Sequence, residues 1–217
     1  MFRTSNNRGH QRFDDLRSHK YDKAGKFSLS KKQLQLIEDS EILSLAEKIE
    51  LLLVALGNKL TAELYMLINY QYSNVEKKEL ADQSKLDELE ALLKELPFVY
   101  YQDTLLKKNR FTGKMQEWKW FQVSVNEAVS HFMKDYPDDL TEFEEGVLYG
   151  FPLSAIRAFS GLIQMKHDKP SAASYYLAGV CSADFWQDEQ DYYQLWWERL
   201  RKLSPKIVQE AEEKFQG

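Results

Sequence analysis

From residue 30 onward, apolar residues recur at the three- and four-residue spacing of helices that bury one face. Ser30-Lys31-Lys32-Gln33 has capping-box form: the serine hydroxyl accepts from the Gln33 N–H while the glutamine side chain reaches back. Leu34 and Ile37 open an apolar stripe behind it. Asp39 or Ser40 restarts the helix, and Ile42, Leu45, Ile49, Leu52, Leu53 and Leu56 carry it to Gly57, a natural C-terminal stop. The spacing of Leu60, Leu64, Leu67 and Ile68 predicts a further helix. Asn74 caps a third helical stretch, lined in its later part by Leu86, Leu89, Leu92, Leu93 and Leu96, and Pro97 closes it.

The pattern changes at Phe98. Phe98–Tyr101 and Trp118–Val125 are aromatic and β-branched, and Phe121, Val123 and Val125 alternate onto one face. Thr112-Gly113 supplies a turn signal between the two runs, so residues 98–125 read as a β-hairpin. Helical spacing then returns. Asn126 caps a helix carrying Val129, Phe132 and Met133, which stops before Pro137. Thr141 starts another that runs to Tyr149, and Pro152 begins the next, through Phe159. Asp168 and Pro170 open a helix over Tyr175, Tyr176 and Val180. Ser182 caps a long one bearing Phe185, Tyr192, Tyr193, Trp196, Trp197, Leu200 and Leu203, and Ser204-Pro205 starts the last.

These elements predict a mainly α, multi-helix globular domain of about eight helices with one inserted β-hairpin. Its boundaries are a mobile basic arm over 1–28 and a single body over 29–217. Within the body, helices fill 30–97, the hairpin 98–125 and helices 126–216.

Glu142–Phe159 has the spacing of a helix-turn-helix. Gly146 is small enough for two helices to cross closely, and Gly150 can end the first helix in a left-handed conformation. A reading helix needs donors near its N-terminus, and Pro152–Ser160 offers little beyond Ser154 and Arg157. The preceding helix carries Glu142, Glu144 and Glu145, which repel phosphate. The segment therefore reads as a structural helical hairpin.

Composition sharpens the class. Hydrophobic residues make up 43% and aromatics 13% of 217 residues, which excludes chain-wide disorder. The net charge of −5 is unevenly spread: residues 1–28 carry net +4, Thr104–Trp120 another +4, and the remainder −13. Cys181 is the only cysteine, so an internal disulfide is excluded and a reducing compartment fits. The first 30 residues show no secretory apolar core, and the longest aliphatic run, Leu51–Leu56, is far short of a membrane span. A soluble, cytoplasmic protein with no membrane contact is expected.

Catalytic patterns are sparse. There is no Gly-x-Ser-x-Gly elbow, no phosphate-cradling glycine loop, no His-Glu-x-x-His and no EF-hand loop. His131 and Asp135 stand four apart, a spacing that can chelate, but nothing supplies an obvious third ligand. Asp135, Asp138, Asp139, Glu142, Glu144 and Glu145 could gather round Mg²⁺, yet acids near a helix start are also stabilised there by its dipole. The stripe Phe185, Tyr192, Tyr193, Trp196 and Trp197 reads as core rather than a flat-ligand site. No cofactor and no metal site is expected.

The hairpin carries the most distinctive surface chemistry. Lys107, Lys108, Arg110 and Lys114 alternate with aromatic residues that include Trp118 and Trp120, combining cations for phosphate with rings for stacking. The leading expectation is a non-catalytic intracellular binding or adaptor protein. It would take a protein partner through a helical groove and this basic aromatic hairpin. The second is a nucleic-acid-binding protein using the same residues and the arm. The third is a metal-dependent hydrolase built on the acids of 135–145.

Overall fold

The first capping signal folds locally as written. In the computed structural model, which describes residues 28–70, 83–108, 113, 115–135, 140–166, 171–177 and 181–216, Ser30 closes a full capping box with Gln33 at the start of α1 (Lys31–Asp39). All but Ser28 of the expected basic arm lies outside the described residues, as does Asn74. The next helix starts later than Asp39 or Ser40. Ser44 and Glu47 form a second capping box at the head of α2 (Leu45–Ala55). Ser40 instead accepts from the Leu43 N–H in the turn, 3.3 Å away.

Helix α2 is apolar almost all round. Leu45, Ile49 and Leu51–Ala55 are all buried, so it forms the centre of the molecule. Even Lys48 is buried along its stem, its Nζ donating to the Glu38 carbonyl at the end of α1, 2.9 Å away.

The expectation of a mainly α fold with a lone hairpin is wrong, and the error lies at residues 61–70. This stretch is a ten-residue strand, β1 (Thr61–Tyr70), not a helix. Leu60, Leu64 and Leu67 fit a helical period, but Ala62, Leu64 and Met66 also alternate with Glu63 and Tyr65 at period two. Ala62, Leu64 and Met66 are buried while Tyr65 is exposed, so the pairing partner decided between two periods the sequence satisfies equally.

After α3 (Gln83–Glu95) come β2 (Val99–Lys108) and β3 (Met115–Ser124), which form the expected hairpin. Strand β3 also pairs antiparallel with β1, giving a three-stranded sheet in the order β1-β3-β2. The chain is therefore a mixed α/β fold, mostly helical, built round this sheet. A second sheet of two-residue strands joins β4 (Met165–Lys166) to β5 (Cys181–Ser182).

The remaining helices are α4 (Glu127–Asp135), α5 (Glu142–Leu148), α6 (Leu153–Phe159), α7 (Ala172–Leu177), α8 (Trp186–Leu203) and α9 (Pro205–Gln216). Asn126 caps α4 by accepting from the Val129 N–H at 3.0 Å, and Thr141 closes a capping box with Glu144 at α5. Helix α7 is shorter than expected; Asp168, Pro170 and Val180 lie outside the described residues. Helix α4 packs on β2 and β3, whereas α2 packs on β1, α8 and α9.

Tyr193, Trp196, Trp197 and Leu200 of α8 are buried, so the aromatic stripe is core, although Phe185 at its start is exposed. The Trp197 indole donates to Glu212 Oε1 at 3.1 Å, and Arg201 donates to the same carboxylate, fastening α9 to α8. That pairing holds Glu212 below the usual carboxylate range. Among the described residues no helix is long and apolar enough to cross a membrane.

Candidate functional site

The sheet has two chemically different faces. Ala62, Leu64 and Met66 of β1 pair in register with Val123, Phe121 and Lys119 of β3, and the apolar members of this set join the core. The opposite face brings Glu63 and Tyr65 beside Gln122 and Trp120, with Tyr101 and Asp103 of β2 on the far side of the same two β3 residues. Trp118 completes the row. Tyr65 meets Trp118 edge-on at 6.5 Å, and Tyr101 meets Trp120 edge-on at 5.6 Å, the geometry aromatic quadrupoles favour. The buried indole N–H groups of both tryptophans and the Tyr101 hydroxyl have no hydrogen-bond partner among the described residues.

Charge on this face is negative. Burial, reinforced by Glu63 and Asp103, pushes the Tyr101 phenol up to about 12. Glu63 accepts from the Tyr65 hydroxyl with one oxygen and from the Tyr149 hydroxyl with the other. Burial first, then the charge on Glu63, raises the Tyr149 phenol far above its ordinary value. Both tyrosines are thus held neutral as donors, the opposite of an activated nucleophile.

Tyr149 leads from the sheet to the turn between α5 and α6. Gly150 there has φ +75°, the left-handed conformation expected for it. Its carbonyl accepts from the Tyr192 hydroxyl at 2.9 Å, anchoring the turn to α8. Across the hairpin, a Cβ added to Gly146 would lie 2.6 Å from Ile156 Cγ1, which is the close helix crossing that glycine permits.

Between the two helices opens a pocket of about 280 Å³. Gly146, Phe151, Ala155, Ile156 and Phe159 supply apolar walls, while Tyr149, Glu142 and Glu145 add polar groups. Glu142 and Glu145 stand three apart and so share a helix face. Glu145 is raised above the ordinary carboxyl range, by burial first and then by the charges of Glu63 and Glu142. Among the described residues none of these three acids forms an ion pair. The nearby buried cation, Lys59, is already committed to Glu50 at 2.5 Å and sits over the Phe151 ring.

Of the residues expected to form a basic aromatic site, the described side chains are those of Trp118 and Trp120. Trp118 and Trp120 lie half-buried on the acidic face. Lys119, on the opposite face, donates to Thr104 Oγ1 at 2.8 Å. Lys107 and Lys108 pair in register with Gln116 and Met115 at the outer end of the ribbon, and Arg110 and Lys114 lie outside the described residues.

Glu144 is buried in its capping box, and residues 136–139 lie outside the described set. Among the described residues no three His, Cys, Asp or Glu side chains gather as metal ligands. Glu63, Tyr65 and Tyr101 were missed as site residues. Reading 61–67 at period two would have placed Glu63 and Tyr65 together on one face. No protein-family model, curated protein or solved structure matches this chain.

Proposed function

We propose that this chain is a non-catalytic binding protein that takes a protein partner at the α5–α6 pocket and the aromatic sheet face beside it. One observation carries the reading: an apolar pocket whose wall includes Phe159, a large apolar side chain left in solvent, on a helical hairpin that exposes others. Phe159 of α6 is 59% exposed and Leu162 beyond it 73% exposed, with Leu153 and Phe143 also exposed. Several exposed large apolar side chains on one short helical hairpin with a concavity mark an interaction surface more than scattered surface leucines do. The helical groove of this reading is the α5–α6 hairpin. The hairpin strands contribute through Trp118 and Trp120 rather than through their lysines.

The test is a photo-crosslinking residue placed at Phe159 and, as control, at Gln209 on α9, with the protein in its native cells. Partner adducts from position 159 and not from 209 support the reading. Equal labelling from both positions, or none, removes it.

The nucleic-acid reading draws its support from the outer end of the β2–β3 ribbon, where Lys107 and Lys108 stand. Against it, Trp118 and Trp120 share their face with Glu63 and Asp103, which repel a phosphate backbone. Strand binding that falls steeply with salt, and is lost when Lys107, Lys108, Arg110 and Lys114 become alanine, would favour this second reading.

A further inference from the structure

We propose that the α5–α6 pocket receives an arginine side chain from the partner protein, its aliphatic stem against the apolar walls and its guanidinium between Glu142 and Glu145. This rests on the reading of the pocket as the contact surface and adds what chemistry fills it.

Size narrows the occupant first. A pocket of about 280 Å³ sits at the lower edge of the roughly 300–1,000 Å³ of small-molecule and cofactor sites and has room for one long side chain. Composition narrows it again. Ala155, Ile156, Phe151 and Phe159 form walls with no charge, which favours a methylene stem. The carboxylates at the α5 wall reject an acidic or phosphorylated group. Charge then selects within what remains. Glu142 and Glu145 line the pocket, Glu63 lies close enough to act on Glu145, and no described cation offsets them. The pocket's acidic wall has a like-charged neighbour in Glu63.

Arginine fits these demands better than lysine. A guanidinium is flat, less strongly hydrated than an ammonium, and donates from several N–H groups at once, so it can bridge two carboxylates three residues apart on one helix. It also stacks on aromatic rings, and Tyr149, Phe151 and Phe159 all line this pocket. The interaction would be charge-assisted, half-desolvated and weak as a lone side chain, with the rest of the affinity supplied by the surrounding apolar surface.

The experiment uses the full chain with labelled alanine and isoleucine methyls, read by NMR at Ala155 and Ile156. The probes are N-acetyl-arginine methylamide and N-acetyl-citrulline methylamide, which match in shape and differ in charge. Saturable shifts with the arginine probe in the millimolar range, about tenfold weaker with citrulline, are expected. The E142Q/E145Q variant, checked for an unchanged fold by its methyl spectrum, should lose the same tenfold. Both substitutions spare Glu144 and the capping box.

If citrulline binds as well as arginine, the arginine proposal fails while the contact-surface reading stands. If E142Q/E145Q binds arginine undiminished, the proposed carboxylate role fails in the same way. If neither probe moves Ala155 or Ile156, and crosslinking from Phe159 is also empty, the contact-surface reading falls with it.

Discussion

Replacing Gly150 with alanine tests the turn that holds the pocket together. Two separate costs are expected. The left-handed conformation at φ +75° costs a residue with a Cβ roughly 1–2 kcal/mol. The new methyl would also sit 2.3 Å from the Asn58 carbonyl oxygen and 2.8 Å from Trp196 Cη2. The first neighbour is backbone and the second is a buried ring, so neither gives way cheaply, and forced overpacking of this kind adds about 1–3 kcal/mol. The sum is about 2–5 kcal/mol, a large share of the roughly 5–15 kcal/mol that holds a domain folded. Gly57 provides the internal control: its φ is +70° but nothing lies within 4 Å of an added Cβ. Gly57→Ala should therefore cost only the conformational part, about 1–2 kcal/mol. Both variants gain equally from a stiffer unfolded chain, so the difference between them isolates the close approach. Urea unfolding followed by tryptophan fluorescence gives both values, and each kcal/mol should also lower Tm by about 2–4 °C in a chain of this length. If Gly150→Ala costs no more than Gly57→Ala, the turn does not press on Asn58 and Trp196, and the close-approach argument for Gly150 collapses.

Two further perturbations probe the acids. Glu145 is raised above its ordinary value near 4.5, so the native state holds its proton more tightly than the unfolded chain. Its contribution is favourable below that ordinary value and is lost as pH rises through the raised one. Glu145→Gln should therefore be more stable than the parent at pH 7, with the advantage shrinking as pH falls; thermal melts of both across pH 4–8 check this, and equal Tm values at pH 7 would contradict the burial argument. Tyr149→Phe removes a hydrogen bond to the Glu63 carboxylate and should cost about 1.5–3 kcal/mol in urea unfolding. An unchanged midpoint would mean that water replaces the tyrosine hydroxyl without loss.

Local chemistry was legible in the sequence, and distant pairing was not. The capping box at Ser30, the helix start at Thr141, the Asn126 cap, the left-handed Gly150 and the close crossing at Gly146 depend on residues a few positions apart or on one helical hairpin. The strand at Thr61–Tyr70 fails that condition. Its sequence satisfies both periods, and what decides is β3, more than 45 residues later. The site followed the same divide. Trp118 and Trp120 are visible as unusual in the sequence, where their nearest companions are lysines of the same hairpin. Their companions in space, Glu63 and Tyr65 on β1 and Tyr149 beyond α5, reach the face only after the sheet has formed and the helical hairpin has docked on it.

The strand order β1-β3-β2 has a consequence for how the chain is made. The central strand is the last of the three to be synthesised. Until residues 115–124 have left the ribosome, β1 and β2 have no partner in this sheet, since each pairs only with β3. The local β2–β3 hairpin then closes quickly, whereas β1 and β3 have α3 and β2 between them in the chain and pair at long range. During that interval the strand holding Ala62, Leu64 and Met66 offers an unpaired edge to any other nascent chain. A fragment that stops before residue 115 would carry two such edges and lack the strand that joins them.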